Sequence, residues 1–324
     1  MVGKEFNPFL FYSKQLQTLL TEASKQKNPA LWLYANDART PLFMLEGLTR
    51  LHKKAFDEKI FDKWNKRFKK LEDLFGEIDQ YLVLEKELKT NKKVSTEVLK
   101  YFNVSANNFI NKCNQRLSEK EWLNKKLISF DEKLGEFNVD YNKEYIEELT
   151  FSLIDEIDAI LSFCVECDYQ FTKLEEQVHE LRRKLRWLSI YAQALQGLIQ
   201  LKKSTKKSKY HLNYFTKDVL NSPYNKLPSK PENTAIIEFD TNSFFALSWL
   251  IKELGKLKDD GLKTEKLSHA IFILEDITEL QAKEKASVIL GFKKTVEADI
   301  LKQASEILKV ALSKDKILDT LVIS

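Results

Sequence analysis

The chain predicts an all-α protein: two repeated helical bundles of about four helices each, related by a pseudo-twofold axis, with long helices. Three observations carry that expectation. Only 8 glycines and 6 prolines interrupt 324 residues, too few breakers for a sheet with many turns. Hydrophobic residues make up 43% and charged residues 31%, the balance of a folded globular chain. Apolar residues also recur at helical spacing, as in Phe61, Trp64, Phe68, Leu71 and Phe75.

Taken in order, Pro8 opens a first helix reaching about residue 27, and Asn28 with Pro29 closes it. Helical patterns follow over about 39–56, 60–89, 95–117, 119–134 and 143–167. The longest candidate, 169–203, would span about 50 Å at 1.5 Å per residue. Residues 204–240 then form the one breaker-rich region, with a Lys/Ser/Thr run and Pro223, Pro228 and Pro231, and read as an exposed connection with a short strand near 235–239. Helix returns over 244–254, 263–274 and 278–312. The expected organisation is an N-terminal helix (1–37), a first helical half (38–168) and a second half (169–324) carrying the insert at 204–240.

Several function classes lose support at this level. The sequence contains no apolar run near the roughly 20 residues of a membrane-spanning helix and none resembling a secretory core, so a cytoplasmic protein without a membrane partner is expected. Cys164 and Cys167 form a CxxC, but late in an acidic amphipathic helix with no second pair nearby. The expectation is two small residues on helix faces and no metal. No GxGxxG, P-loop, GxSxG or HExxH occurs, and the four histidines lie far apart in sequence. No catalytic residues and no cofactor are assigned, and a non-enzymatic role is expected.

Charge is distributed in blocks. Residues 38–70 hold ten basic and four acidic side chains, 170–230 hold thirteen and four, and 131–168 between them hold two and twelve. Both basic blocks open with a similar pattern, ARTPLFMLEGLTRLHKKAF in the first and HELRRKLRWLSIYAQALQG in the second, and a second stretch follows each, KKLEDLFGEIDQ and LIKELGKLKDDG. Arg39 and His179 lie 140 residues apart while Gly76 and Gly255 lie 179 apart, a difference that the insert accounts for. Such a repeat implies two related helical halves.

Placed on a helix, Leu181, Leu185, Leu188, Ala192, Leu195 and Ile199 form a core-facing stripe. His179, Arg182, Arg183 and Arg186 fall on the opposite side as i, i+3, i+4 and i+7 neighbours. The face continues through Ile190, Gln193 and Gly197, neutral and narrow enough for another helix to approach. Only seven arginines stand against 45 lysines, and three of the seven lie within 182–186. Guanidinium forks bind phosphate bidentately where ammonium groups act as point charges, so this cluster points to an anionic ligand, unless the acidic segment 131–168 neutralises it.

The pattern His179-Glu-Leu-Arg182-Arg183-Lys-Leu-Arg186, the repeated halves and the turn of Leu254, Gly255, Leu257 and Asp259 resemble the CHAD family, the conserved histidine α-helical domain. The resemblance implies two four-helix repeats about a central basic groove that binds inorganic polyphosphate or a similar polyanion. It implies contacts from His179, Arg182, Arg183 and Arg186, with Lys202, Lys203 and Lys206 further along. In the first half Arg39 stands in place of the family's His, Leu42 and Glu46 replace basic positions, and Arg50 and Lys53 are the substitute contacts. The alternative is a helical scaffold that recruits a protein partner. Nucleic acid is the weaker ligand, since the net charge is only +4 and no nucleic-acid-reading motif is present.

Overall fold

The computed structural model describes residues 6–56, 58–137, 139–203, 213–292 and 296–323. The fold is all-α, as the breaker count predicts, with twelve α-helices among the described residues and a three-stranded sheet of short strands. None of these helices is long and apolar enough to cross a membrane.

Helix α1 (Pro8–Ala23) starts where Asn7 caps the amides of Phe9 and Leu10, the usual combination of Asn N-cap and Pro at the first helical position. It stops four residues before the expected end. Asn28 and Pro29 then begin a separate short helix, α2 (Pro29–Ala35), instead of merely closing the first. The side chain of Asn114 fixes α2 by accepting from the Ala30 amide at 2.8 Å and donating to Asn28 Oδ1 at 2.9 Å.

Helix α3 (Arg39–Phe56) begins and ends as expected, and α4 (Lys59–Leu88), α5 (Thr96–Glu119) and α7 (Lys143–Glu166) lie within two residues of expectation. Helix α6 (Lys126–Phe137) starts later than expected. Helix α3 is the hub: α1, α4, α7 and α8 (Glu180–Ala194) all pack on it.

The 50 Å helix does not form. A π-helical turn (Leu174–His179) leads into α8, which ends at Ala194. Gln196 and Gly197 then adopt φ values of 48° and 94°, the left-handed region that terminates helices. A Cβ on Gly197 would lie 2.0 Å from the Ser229 carbonyl oxygen, so the chain can make this turn only with glycine. It emerges as β1 (Ile199–Lys202), which pairs in parallel with β2 (Ile237–Asp240). The four-residue α9 (Lys217–Leu220) lies in the intervening segment. A third strand, β3 (Val322–Ile323), adds antiparallel to β2.

Two helices expected over 244–254 and 263–274 are one: α10 (Thr241–Leu274) runs unbroken through Gly255 and Gly261. The last stretch divides into α11 (Glu279–Leu290), opened by a Thr278/Gln281 capping box and closed by left-handed Gly291, and α12 (Val296–Leu308), which ends in a second π-helical turn.

The buried residues form two cores. The large one surrounds α3 and includes Leu181, Leu185 and Leu188 of the predicted stripe, all fully buried. A smaller one joins the far ends of α4 and α10 to α5 and α11 through Tyr81, Leu84, Phe102, Leu267 and Ile271. Helices α4 and α10 therefore bridge both cores.

His52 lies in the large core with ring centroids of Phe9, Phe61 and Tyr145 within 5.7 Å. Its Nδ1–H donates to the Leu48 carbonyl at 2.7 Å, which leaves Nε2 to accept from the Tyr141 hydroxyl at 3.3 Å. Burial pushes the imidazole down from 6.5 to about 3, so it is neutral in the native state and protonates first on unfolding. Stability is therefore lost as pH falls below about 6.5. Between pH 6.5 and 5 the loss from this residue should be about 2 kcal/mol, seen as a falling urea midpoint whose pH slope shrinks by one proton in His52→Phe.

The turn at Gly197 generates a second prediction. Gly197→Ala should destabilise by about 2 kcal/mol or more. Gly135→Ala, exposed in α6 with nothing within 4 Å of the new methyl, should stabilise by roughly 0.5 kcal/mol. Thermal melts of both variants check the contrast.

Candidate functional site

Between α3 and α8 on one side and α4 and α10 on the other lies a trough made of two adjoining cavities of about 440 and 240 Å³. They share Arg39, Gln80, Lys258, Leu262 and Lys266 in their walls. The larger is lined by His179, Arg182, Arg183 and Arg186 together with Arg39. Five of the ten sequence-predicted contacts thus meet in one place.

Helix α8 brings its four there because its leucines hold the opposite face in the core. The neutral continuation of the face admits another helix as expected, and that helix is α3. A Cβ on Gly47 would lie 2.9 Å from Ile190 Cγ2. Near this crossing Phe43 lies between two guanidiniums, with Arg186 at 4.3 Å and Arg39 at 5.2 Å from its ring centroid, a favourable placement of cations over an aromatic face.

The two long helices receive the arginines in the same way. A Cβ on Gly76 of α4 would lie 3.1 Å from Arg39 Nη2, and one on Gly255 of α10 would lie 3.1 Å from Arg182 Nη2. Each glycine lets a guanidinium rest against helix backbone. What the two arginines find there differs. Arg39 donates to Glu72 at 2.6 Å and to Asp79 at 3.2 Å. Among the described residues no carboxylate lies within 4.0 Å of Arg182 or Arg186, and the buried Nε of Arg182 has no hydrogen-bond partner.

Lys258 of α10 joins these two from the opposite wall. Its nearest carboxylate is that of its sequence neighbour Asp259, at 4.0 Å. Burial pushes the Lys258 ammonium below its ordinary value, and Arg182 beside it adds to the effect. The same holds for Arg182, lowered by burial and then by Arg186, and for Arg186, lowered by burial with Glu72 partly offsetting. Arginine stays charged regardless, so both guanidiniums keep their charge in a partly desolvated place.

His179 and Arg183 face carboxylates from their own helical turn. His179 Nδ1 lies 2.7 Å from Glu175 Oε2, and burial holds the imidazole below its ordinary value. Its Nε2 is buried without a partner. Arg183 is exposed and reaches Glu180 only at 3.7 Å. Glu46, the anion on the first-half wall, is buried. Burial, with Glu72 nearby, pushes its carboxyl up to about 8, so it carries a proton at neutral pH and does not repel an anion.

The other predicted contacts do not line either cavity. Arg50 donates to the Tyr191 hydroxyl at 3.0 Å, pairs with Glu156 at 3.4 Å and lies over Trp187. Lys53 is paired with Asp62. Lys202 and Lys203 are not at the end of α8, because the chain has turned at Gly197. Lys202 lies in β1, paired with Glu238 at 2.6 Å, and Lys203 is exposed just beyond it. Lys206 lies outside the described residues. Cys164 is buried near the end of α7, with Cys167 as its cap.

Sequence reasoning missed Lys258, Lys69 and Lys266, which come from α10 and α4. A signal existed for Lys258, one turn beyond Gly255 in the repeated LIKELGKLKDDG pattern. No family model, curated protein or solved structure matches the chain.

The contrast between the paired and the unpaired arginine is measurable in stability. Replacing a half-buried, uncompensated charge by an apolar side chain of similar length is favourable, so Arg182→Met should raise the unfolding free energy by roughly 0.5 to 1 kcal/mol in anion-free buffer. Arg39→Met, which strands the nearly buried Glu72, should lower it by roughly 2 kcal/mol. Denaturant titrations without phosphate or sulfate check both signs.

Proposed function

We propose that the trough binds inorganic polyphosphate, or a chemically similar polyanion, without catalysing a reaction on it. The observation that carries this reading is the meeting of Arg182, Arg186 and Lys258, half-buried and, among the described residues, with no carboxylate closer than the Asp259 group 4.0 Å from Lys258. Taking charge out of water costs several kcal/mol unless a counter-charge is supplied, and phosphate oxygens supply it through bidentate, charge-assisted bonds. The protonated Glu46 and the unpartnered His179 Nε2 add polar atoms to the same cavity.

The resemblance to the CHAD family gains support from the paired contacts. Arg39 on Gly76 and Arg182 on Gly255 are the contacts that two related halves would make. Phe43 with Arg186 and Gly47 with Ile190 have the same sequence separation as Arg39 and Arg182, as expected across an approximate twofold axis. In this register Arg39 corresponds to Arg182, not to His179, and Phe43 takes the place of Arg186. The first half then contributes shape and packing, while the second contributes most of the free charge.

Calorimetric titration of long-chain polyphosphate at two salt concentrations tests the reading. Wild type should bind with affinity that falls steeply with salt, and Arg182→Ala with Arg186→Ala should bind about 100-fold more weakly. Unchanged binding in the double variant removes these residues from the site. Equal affinity for heparin and duplex DNA favours the scaffold instead.

A further inference from the structure

Resting on that reading, we infer that the trough grips a short stretch of the anion, about three phosphoryl groups, and that chain length beyond this adds little affinity. The trough is rich in basic side chains, but most are already spoken for. Arg39, Lys69, Lys263 and Lys266 each have a carboxylate within 3.3 Å, namely Glu72, Asp73, Glu87 and Glu77 in turn. A polyanion passing along these walls meets neutral pairs and gains little by displacing a carboxylate that is already bonded.

Arg183 is exposed and 3.7 Å from Glu180; the trough cations with no carboxylate closer than 4.0 Å among the described residues lie together. Arg182 and Arg186 are one turn apart on α8, the Arg182 guanidinium rests on Gly255 one turn before Lys258 on α10, and all three line the larger cavity. Against them stand Asp259, 4.0 Å from Lys258, Glu175, bonded to His179, and the exposed Glu265, with no cation within 4.0 Å of Glu265 among the described residues. The protonated Glu46 adds no charge. These cations therefore form a compact patch, not a stripe, sized for a short oligophosphate rather than a long one.

The test is a chain-length series on the full chain, using orthophosphate, pyrophosphate, tripolyphosphate and long-chain polyphosphate, each titrated at several salt concentrations. Affinity should climb to tripolyphosphate and then level off, the long chain binding within about threefold per three-phosphate site once its repeated registers are counted. Both should show a slope of log affinity against log salt of about −2, the value for about three neutralised phosphates on a flexible single strand. A long chain that binds more than about tenfold tighter per site, with a clearly steeper slope, overturns the inference and leaves polyphosphate binding standing. If no member of the series binds, both fail.

Freeing Arg39 provides an independent arm. In Glu72→Gln with Asp79→Asn the guanidinium loses its carboxylates, and the long-chain slope should steepen by about 0.7 while that of tripolyphosphate stays put. An unchanged long-chain slope in the folded variant overturns the inference; if the variant does not fold, the wild-type series decides alone.

Discussion

Two arginines and a lysine held partly out of water, with no carboxylate closer than 4.0 Å among the described residues, are the constraint around which the trough is organised. Each is kept there by something apolar or by bare backbone. The leucines of α8 fix the helix so that its arginines face the trough. Phe43 lies under Arg186. Gly255 removes the side chain that would push Arg182 back toward solvent. The arrangement costs folding free energy that the two cores must cover, which is the usual relation between a binding surface and the scaffold beneath it.

The trough acids come from a different place than the charge blocks suggest. The acidic segment 131–168 was the obvious intramolecular counter-charge for the arginine cluster. In the structure its Glu156 pairs with Arg50 and Lys54, while Glu144, Glu147 and Asp158 stay exposed on the outer face of α7. Carboxylates that do neutralise trough cations, Glu72, Asp73 and Glu77, are on α4, just beyond the basic block 38–70. Sequence blocks carry little information about which charges meet when long helices fold side by side.

Where a property is local, the sequence was sufficient. The bounds of α3, the leucine stripe of α8 and its four outward basic residues all follow from 3.6-residue periodicity. Non-local facts were out of reach. The end of α8 depends on Gly197 passing against the Ser229 carbonyl and on a strand pairing across more than thirty residues. The continuity of α10 depends on Arg182 packing at Gly255, which offsets the helix cost of glycine with a tertiary contact. For the same reason Arg39, which the sequence pattern sets against His179, matches Arg182 in its contact with a helix glycine and differs from it in charge balance: one meets Glu72 and Asp79, and the other does not.

Helices α4 and α10 are linked by Lys266 to Glu77 and Lys263 to Glu87, pairs that border the apolar contacts of the smaller core at Tyr81, Leu84 and Leu267. Partly exposed ion pairs of this kind contribute at most about 1 kcal/mol each and weaken as ions accumulate. The spacing of these helices is thus held by the apolar core, and the ion pairs form an exchangeable edge to it. Ionic strength acts on the charge along that edge, through the same lysines that border the trough, more than on the width of the cleft.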